Sequence, residues 1–325
     1  MPYNTLIQRS DVAARIPEEI SNQMLVNLQA SSSALNLGTN IPMPAATTRF
    51  PVLSALPVAY WVNGDTGLKQ TSTASWDKKF IDVEELAVIV PIPEAVLDDA
   101  GFDVWASIQP LMEGAIVRAL DGAIFLGINA PAAFPNALAL EAATINSDSL
   151  GIAGQTGNQI TLGTSAADDG GIALDISNAV SILEAQGFYP DAAIARITMR
   201  SQVRNLAAVP FLTRPGNIVD PTEWLGAQVQ YPMRGMWPSA AGSVQGIIGD
   251  FKDNLVVGVR QDFMYKILDQ GVITDENNDI IFNLAQQDMV AMRLTFRAGW
   301  QVSNPINYDQ PDPTQRYPFV NLLAA

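Results

Sequence analysis

The clearest hydrophobic pattern along the chain lies between residues 103 and 127 and predicts one long helix. Its apolar residues recur at steps of one, three and four, which places them on one face of an α-helix. They are Val104, Ile108, Leu111, Met112, Ala115, Ile116, Ala119, Leu120, Ala123 and Ile124. Asp103 fits the N-cap position and Gly127 the C-terminal stop. Pro110 is expected to bend or interrupt the first two turns.

Other periodic stretches predict a mixture of helices and strands. A second helix is expected over residues 172–186, and Gly187 would terminate it. Runs of apolar and β-branched residues predict several strands in the second half of the chain. These are residues 192–199, 246–251, 255–259, 263–268, 289–296 and 300–302. This combination of elements is typical of an α+β fold.

Residues 57–92 are predicted to form a long two-stranded hairpin that projects from the core. Its first limb would be residues 58–62, and its return limb residues 78–83, continuing into 86–93. Between them, Asn63-Gly64 and Thr66-Gly67 are turn-forming pairs in a polar segment. Because this tip is polar, we expect it to lie away from the core of its own chain.

The first 45 residues are predicted to form an arm. A short helix is expected to begin near Pro17, and a stretch rich in Ser, Asn and Pro follows it. A self-contained domain would not carry so long a segment with so little periodic apolar pattern. Charges over residues 1–60 balance to zero, so the whole acidic excess lies beyond residue 60.

Composition narrows the chemistry that the chain can perform. It has 325 residues with no cysteine and no histidine, which excludes thiol, serine–histidine and histidine–zinc enzymes. Lys and Arg number 18 against 33 Asp and Glu, a net charge of −15. Free binding to duplex nucleic acid is therefore not expected, because the phosphate backbone requires a basic surface. Only 16% of residues are charged, which suits broad contact surfaces between subunits.

Motifs for catalysis, cofactors, metals and membranes are not found in the sequence. Residues 64–69 lack the glycine spacing of a phosphate loop, and residues 275–279 lack the Gly and Glu of a calcium loop. Adjacent carboxylate pairs such as Asp98-Asp99 make poor acid–base pairs. The start of the chain has no signal-peptide pattern, and no run of 18 apolar residues occurs. We therefore expect a soluble protein with no catalytic, cofactor-binding or metal-binding residues.

Three stretches, in order along the chain, carry a resemblance to a known family. The first runs from Ala59-Tyr60-Trp61-Val62 to the closing Glu94-x-x-Leu97-x-Asp99 element. The second is the long helix with its ending Ala119 to Gly127, and the third is the set of strands between Gly246 and Val302. In these features the chain resembles a tailed-bacteriophage major capsid protein of the Hong Kong 97-like fold.

The resemblance implies an α+β fold with four parts. These are an N-terminal arm (1–45), an extended β-hairpin loop with its base (46–92), a peripheral domain (93–189, completed by strand 286–302) that holds a long spine helix (103–127), and an axial domain (190–285, completed by the tail 303–325). The arm and the extended loop would lie on neighbouring subunits, and the axial domains would meet at the five-fold and six-fold axes.

The resemblance also implies the function and the partners. Many copies would assemble into pentamers and hexamers of an icosahedral shell, which encloses phage double-stranded DNA without sequence-specific binding. The protein would be made in the host bacterial cytoplasm and reside in the virion. A separate scaffolding protein, a portal protein and a decoration protein are the further partners, and no membrane is involved. The candidate contact residues between subunits are Arg15, Trp61, Gly64, Asp65, Lys69, Trp76, Lys78, Lys79, Arg214 and Trp224.

A covalent crosslink is not expected from the sequence. Some members of the family join an extended-loop lysine to an asparagine of a neighbour, assisted by a buried glutamate. Lys69, Lys78 or Lys79 would supply the lysine. The region that would supply the glutamate reads Gln286-Gln287-Asp288-Met289 instead.

Two other functions stay open at the level of sequence. An encapsulin-like compartment shares the fold and encloses enzymes, although the long arm argues against it. A carboxylate-based hydrolase or sugar-binding protein would be a monomer or small oligomer with a deep pocket, and no motif marks such a site.

Overall fold

The computed structural model of this chain describes residues 32–62, 68–99, 104–145, 152, 154–166, 171–204, 222–232, 237, 244–274 and 277–324. The predicted arm helix near Pro17, the hairpin tip and Asp103 lie outside these residues. The chain divides into two units. The first comprises Met1–Ser32, Glu85–Val117 and Gln261–Arg297, and the second comprises Ser33–Glu84, Arg118–Arg260 and Ala298–Ala325.

Helices and strands alternate along the described residues. The helices are α1 (Ser33–Leu37), α2 (Glu94–Asp99), α3 (Val104–Leu126), α4 (Leu138–Thr144), α5 (Ile172–Ala185), α6 (Ile197–Arg204) and α7 (Phe251–Asn254). The strands are β1 (Thr39–Pro42), β2 (Thr47–Ala55), β3 (Ser75–Asp82), β4 (Glu84–Pro93), β5 (Gln159–Thr161), β6 (Ala192–Ala195), β7 (Glu223–Trp224), β8 (Ala227–Gln230), β9 (Val244–Gly249), β10 (Leu255–Leu268), β11 (Val272–Thr274), β12 (Ile280–Asn283), β13 (Met289–Val302) and β14 (Phe319–Leu323).

The second unit is built on a six-stranded sheet in the order β5-β14-β9-β6-β8-β7. The C-terminal strand β14 runs antiparallel to β9 and parallel to β5, so it lies inside the sheet. Side chains of α5 pack with the sheet in one apolar cluster that includes Ile176, Leu183, Ile248 and Val320. Burial of side chains of this kind contributes about 1.5–3 kcal/mol each.

This cluster joins residues from both sides of the expected boundary between residues 189 and 190. Helix α5 was expected in the peripheral part, but its apolar face covers the same sheet that holds β6 and β9. Residues Gln261–Arg297, part of which was expected in the axial domain, cluster with Glu85–Val117. Residues therefore group into the two units by which surfaces pack together, and not by their order along the chain.

A buried polar network fixes the C-terminal segment to the second unit. The Asn158 side-chain amide donates to the Tyr317 carbonyl (3.0 Å), and Gln186 Nε2 donates to Asn158 Oδ1 (2.6 Å). The Tyr317 N–H donates to Gln186 Oε1 (2.8 Å). Because buried amides cost free energy unless they are paired, this network favours one position for the tail.

The proline-rich tail before β14 is held by one buried cation. Arg316 is only 4% exposed, and its guanidinium donates to the carbonyl oxygens of Pro305, Gln310 and Pro311. Prolines supply no N–H group, so a proline-rich segment has fewer backbone donors than carbonyl acceptors. The guanidinium of Arg316 supplies donors for these carbonyls, although the segment forms no strand.

The long helix is confirmed as α3, Val104–Leu126, and Gly127 follows it with a left-handed φ of 71°. Pro110, which was expected to bend or interrupt the first two turns, does not interrupt the helix, which continues on both sides of it. A proline removes one hydrogen bond of the helix, and the remaining ladder and the buried face hold the rest. The predicted second helix and Gly187 are also confirmed by α5 and a φ of 78°.

The part of the predicted arm that the structure describes packs on its own chain. Asp121, buried on α3, accepts hydrogen bonds from the Ser33 N–H (2.9 Å) and the Ala34 N–H (3.2 Å) at the start of α1. Strand β1 then pairs in parallel with β10 over Thr39 to Pro42. An arm that reaches a neighbour can therefore include only residues that precede Ser32.

The first unit contains β4, the later part of β10, the earlier part of β13 and the hairpin β11–β12. Val272 pairs with Asn283 in that hairpin, and the rings of Phe263 and Phe296 stack at 4.7 Å. Arg297 forms an ion pair with Glu85. The predicted strand pairs 255–259 with 263–268 and 289–296 with 300–302 are each one continuous strand of 14 residues.

Candidate assembly surface

The extended hairpin consists of strands that differ from those predicted. Strand β2 (Thr47–Ala55) pairs antiparallel with β3 (Ser75–Asp82), and the predicted limb 58–62 lies beyond the strands. Residues 84–93, expected as the end of the return limb, form β4 in another sheet. The alternation of Thr47 to Ala55 carries the signal for β2, but Pro51 within it argued against a strand. A proline is tolerated because the hairpin has only two strands and each has a free edge.

The register of the hairpin separates its side chains into two faces. Arg49 pairs with Phe80, Pro51 with Lys78 and Leu53 with Trp76. Directly opposed residues point to the same side of a strand pair, so these six residues share one face. We call this the outer face, and it consists of Arg49, Pro51, Leu53, Trp76, Lys78 and Phe80. Five of the six are exposed, and Leu53 is half-buried.

The outer face combines apolar and basic side chains. Trp76 is 65% exposed and Phe80 is 48% exposed. Arg49 and Lys78 are cationic, in a chain with a net charge of −15. The next pair on the same side, Thr47 with Asp82, adds one carboxylate, which accepts a hydrogen bond from the Thr47 hydroxyl (2.7 Å). Exposed aromatic and basic residues together are typical of surfaces that bind another protein. Of the outer-face residues, the sequence had indicated only Trp76 and Lys78.

The opposite face of the hairpin binds its own chain. Ile81 is fully buried, and its side chain fits against Gly258 and Gly299. A Cβ atom at Gly299 would collide with the carbonyl oxygen of Asp82, so only glycine allows the strands to approach this closely. Hydrogen bonds from Gln301 Nε2 to the Phe80 carbonyl (3.1 Å) and from Ile306 N–H to the Leu53 carbonyl (3.2 Å) add to this anchor.

Lys79 belongs to this anchor and not to the outer face. Its ammonium donates to the Val302 carbonyl at 2.8 Å. Burial lowers the pKa of Lys79 from its ordinary value, and the negative charge of Glu141 partly opposes that shift. The ammonium of Lys79 therefore binds within its own chain.

Beyond the ends of strands β2 and β3, two hydrogen bonds hold the two segments of the hairpin, its limbs, together. The Val58 N–H donates to Ser72 Oγ (2.7 Å), and the Tyr60 hydroxyl donates to the Gln70 carbonyl (3.0 Å). Trp61 and Lys69 lie on these limbs and are exposed. Gly64 and Asp65 fall outside the described residues, as do Arg15 and Arg214.

Trp224 is the other candidate that the structure places elsewhere. It is 0% exposed and lies in the apolar cluster of the second unit, where its ring meets Tyr231 edge-on at 6.4 Å. Its side chain is therefore enclosed by its own chain. No sequence pattern indicated this burial, because the strand that contains Trp224, β7, has only two residues.

Within the described ranges, no group of three or more carboxylates could hold a metal ion. None of the helices in the same ranges is long and apolar enough to cross a membrane.

Comparisons with known proteins identify the family. A family model described as the phage capsid family matches residues 13–307. The major capsid protein of Staphylococcus phage 80alpha is 24% identical over 289 residues, which cover 88% of this chain and 81% of that protein.

Solved structures are similar over nearly the whole chain. One from Microbacterium phage Oxtober96 is 28% identical, has a TM-score of 0.73, and covers 99% of this chain and 100% of its own. The capsid of a native GTA particle is 18% identical with a TM-score of 0.62, covering 91% and 90%, and shows the shared fold. Because the family match spans most of its length, this chain belongs to the phage capsid family and is a structural protein of a multimeric capsid shell, with a Hong Kong 97-like fold.

Proposed function

We propose that this chain is the major subunit of an icosahedral shell of pentamers and hexamers around double-stranded phage DNA. In this proposal the outer face of the β2–β3 hairpin binds an adjacent copy. The observation that carries it is that this face is apolar, basic and exposed while the opposite face is anchored to its own chain. A hairpin anchored at one face presents the other face with little loss of conformational entropy on binding.

Apolar burial would supply most of the contact energy. Covering Trp76 and Phe80, which are 65% and 48% exposed, contributes roughly 1–2 kcal/mol each. Arg49 and Lys78 add attraction to a partner that carries a net charge of −15. Trp61 and Lys69, also exposed, extend the contact along the limbs.

In this proposal each of the two units is assigned to one part of the family's fold. We assign the unit with the six-stranded sheet to the axial domain and the unit with β11–β12 to the peripheral domain. The arm that reaches a neighbour consists of residues that precede Ser32, Arg15 among them. Gly64, Asp65 and Arg214 are kept as contact residues on sequence grounds alone.

The remaining partners follow from the same proposal. The subunit has no catalytic role and needs no cofactor. It is made in the bacterial cytoplasm, and it assembles with a separate scaffolding protein, a portal and a decoration protein. Its acidic charge of −15 repels packaged DNA and leaves that DNA free to slide.

The test replaces Trp76 and Phe80 with serine and examines assembly by electron microscopy. We expect the double variant to keep the circular dichroism spectrum and melting temperature of the wild type, because both side chains are exposed. Shells and capsomers should disappear or require at least about thirtyfold more protein, as loss of about 2–4 kcal/mol implies. A Trp76→Phe variant, which keeps an aromatic ring, is the matched control and should assemble. Normal assembly of the double variant would contradict the proposed contact.

A further inference from the structure

The most basic stretch of this acidic chain lies between Asp191 and Asp220. It holds four arginines, Arg196, Arg200, Arg204 and Arg214, and no acidic residue or lysine. Its charge of +4 leaves −19 for the rest of the chain, since the total is −15. The proposed contact at the hairpin does not use this stretch.

Helix α6 carries part of this positive charge, and buried side chains hold the helix in place. Met199 and Val203, one turn apart, are fully buried and attach the helix to the second unit. The Arg196 N–H donates to the Gln245 carbonyl at 2.8 Å, which fixes the start of the helix next to β9. Arg200 is exposed and Arg196 is half-buried.

The spacing of the arginines places them in one row. Residues four apart on a helix are neighbours on its surface. Arg196 is the residue just before α6, Arg200 lies in its first turn, and Arg204 is its last residue, so the arginines follow one another at one-turn intervals along this backbone. We call Arg196 and Arg200 the arginine row.

The row has no acidic partner on its own chain among the described residues. The ion pair found there joins Arg297 to Glu85, and neither Arg196 nor Arg200 takes part in one. An exposed row of like charges repels itself unless a partner of opposite charge is present.

We infer that the arginine row binds carboxylates on a second copy of this chain. The guanidinium group matches a carboxylate with two parallel hydrogen bonds, and the stretch contains arginine only. A second copy carries −19 outside its own basic stretch, so carboxylates are abundant on it. A nucleic-acid phosphate offers the same chemistry, but the chain as a whole repels a polyanion. The inference rests on the proposed function, because assembly is what brings a second copy to the row.

The test is a double charge reversal, Arg196→Glu with Arg200→Glu, compared with wild type in the same assembly reaction. We expect the protein concentration needed for assembly to rise at least about tenfold, since attraction becomes repulsion at each copy. Light scattering gives that concentration, and circular dichroism with melting shows that the subunit is folded. The pair Arg196→Lys with Arg200→Lys keeps the charge but loses the two parallel hydrogen bonds of each guanidinium, so the concentration it needs should lie between those of wild type and of the charge reversal.

A matched control separates a local contact from a change of net charge. Arg118→Glu with Lys266→Glu changes the total charge by the same amount and has no ion pair among the described residues to lose. If this control weakens assembly as much as the row variant, net charge explains the effect and the inference fails. If the row variant assembles normally but holds less DNA, nucleic acid is the partner and the inference is also overturned. Wild type that forms no capsomers or shells, even with scaffolding protein, would instead refute the proposed function itself.

Discussion

The carboxyl group of Asp250 is placed where ionisation is unfavourable. It caps the short helix α7, accepting from the Asp253 N–H (3.3 Å) and from Asn254 Nδ2 (2.8 Å). Burial raises the pKa of Asp250 to about 6, and the nearby charges of Asp191 and Asp253 add to the rise while the two hydrogen bonds oppose it. The folded protein therefore binds this proton more tightly than the unfolded chain does.

A pH dependence of stability follows from that shift. A carboxyl whose pKa is raised in the folded state stabilises the fold while it is protonated, and this contribution is lost as the pH rises through the folded pKa, about 6. We expect Asp250→Asn, which removes the titration and keeps a capping oxygen, to be more stable than wild type at pH 7. The difference should be on the order of 1 kcal/mol, since the group is partly solvated, and should shrink towards pH 5. Urea unfolding of unassembled subunits measures it, and a variant less stable than wild type at pH 7 would contradict the assignment.

At the scale of residues, sequence predicted chemistry better than position. The absence of cysteine and histidine excluded whole classes of enzyme without any structure. The exposed Trp76 and the buried Trp224 look alike in the sequence, because each stands beside polar or charged residues. Which of them is enclosed depends on strands far away in the chain, and a local pattern does not contain that information.

At the scale of elements, long periodic patterns predicted the helices correctly, but no pattern predicted which strands pair. Helices α3 and α5 follow from apolar residues that recur every turn, which is a local signal. The pairing of β2 with β3 and the insertion of β14 between β5 and β9 depend on contacts between distant residues. The last strand, Phe319–Leu323, was not predicted, because it follows a proline-rich tail and has only five residues.

The position of β14 makes the end of the chain necessary for folding. Phe319, Val320 and Leu322 are fully buried, and each contributes about 1.5–3 kcal/mol by burial. Their sum is comparable with the 5–15 kcal/mol by which a domain is typically stable. We expect deletion of residues 319–325 to abolish cooperative unfolding of the subunit, measured by circular dichroism and heat.

A shorter deletion is the control for that prediction. Removing only residues 324 and 325, which follow β14, leaves every strand of the sheet in place. This variant should melt within a few degrees of wild type. A cooperative transition near the wild-type temperature in the longer deletion would show that the sheet does not depend on its C-terminal strand.

At the scale of the whole molecule, sequence order and spatial grouping differ. The first unit draws its residues from segments as distant as Glu85–Val117 and Gln261–Arg297. Such a unit cannot be recognised by dividing the chain into consecutive pieces. The resemblance to a family supplied the fold that local patterns could not.

The charge of the whole subunit sets a long-range barrier to assembly. For two copies of charge −15 about 40 Å apart, Coulomb repulsion with screening is about 6 kcal/mol near 10 mM salt and about 0.2 kcal/mol near 150 mM. The same salt also weakens the contacts of Lys78, Arg49 and the arginine row. Exposed ion pairs contribute only about 0.2–1 kcal/mol each, whereas the apolar part of the outer face does not depend on screening at all. The repulsion between copies therefore decides that added salt favours assembly.

We expect purified subunits to assemble poorly near 10 mM salt and readily near 150 mM at the same protein concentration. Light scattering during a salt titration measures this, with sucrose at matched osmolality to separate screening from solvent exclusion. Faster assembly at low salt would mean that charge pairs between copies outweigh the net repulsion. In that case ionic contacts, and not the apolar part of the outer face, would hold the shell together.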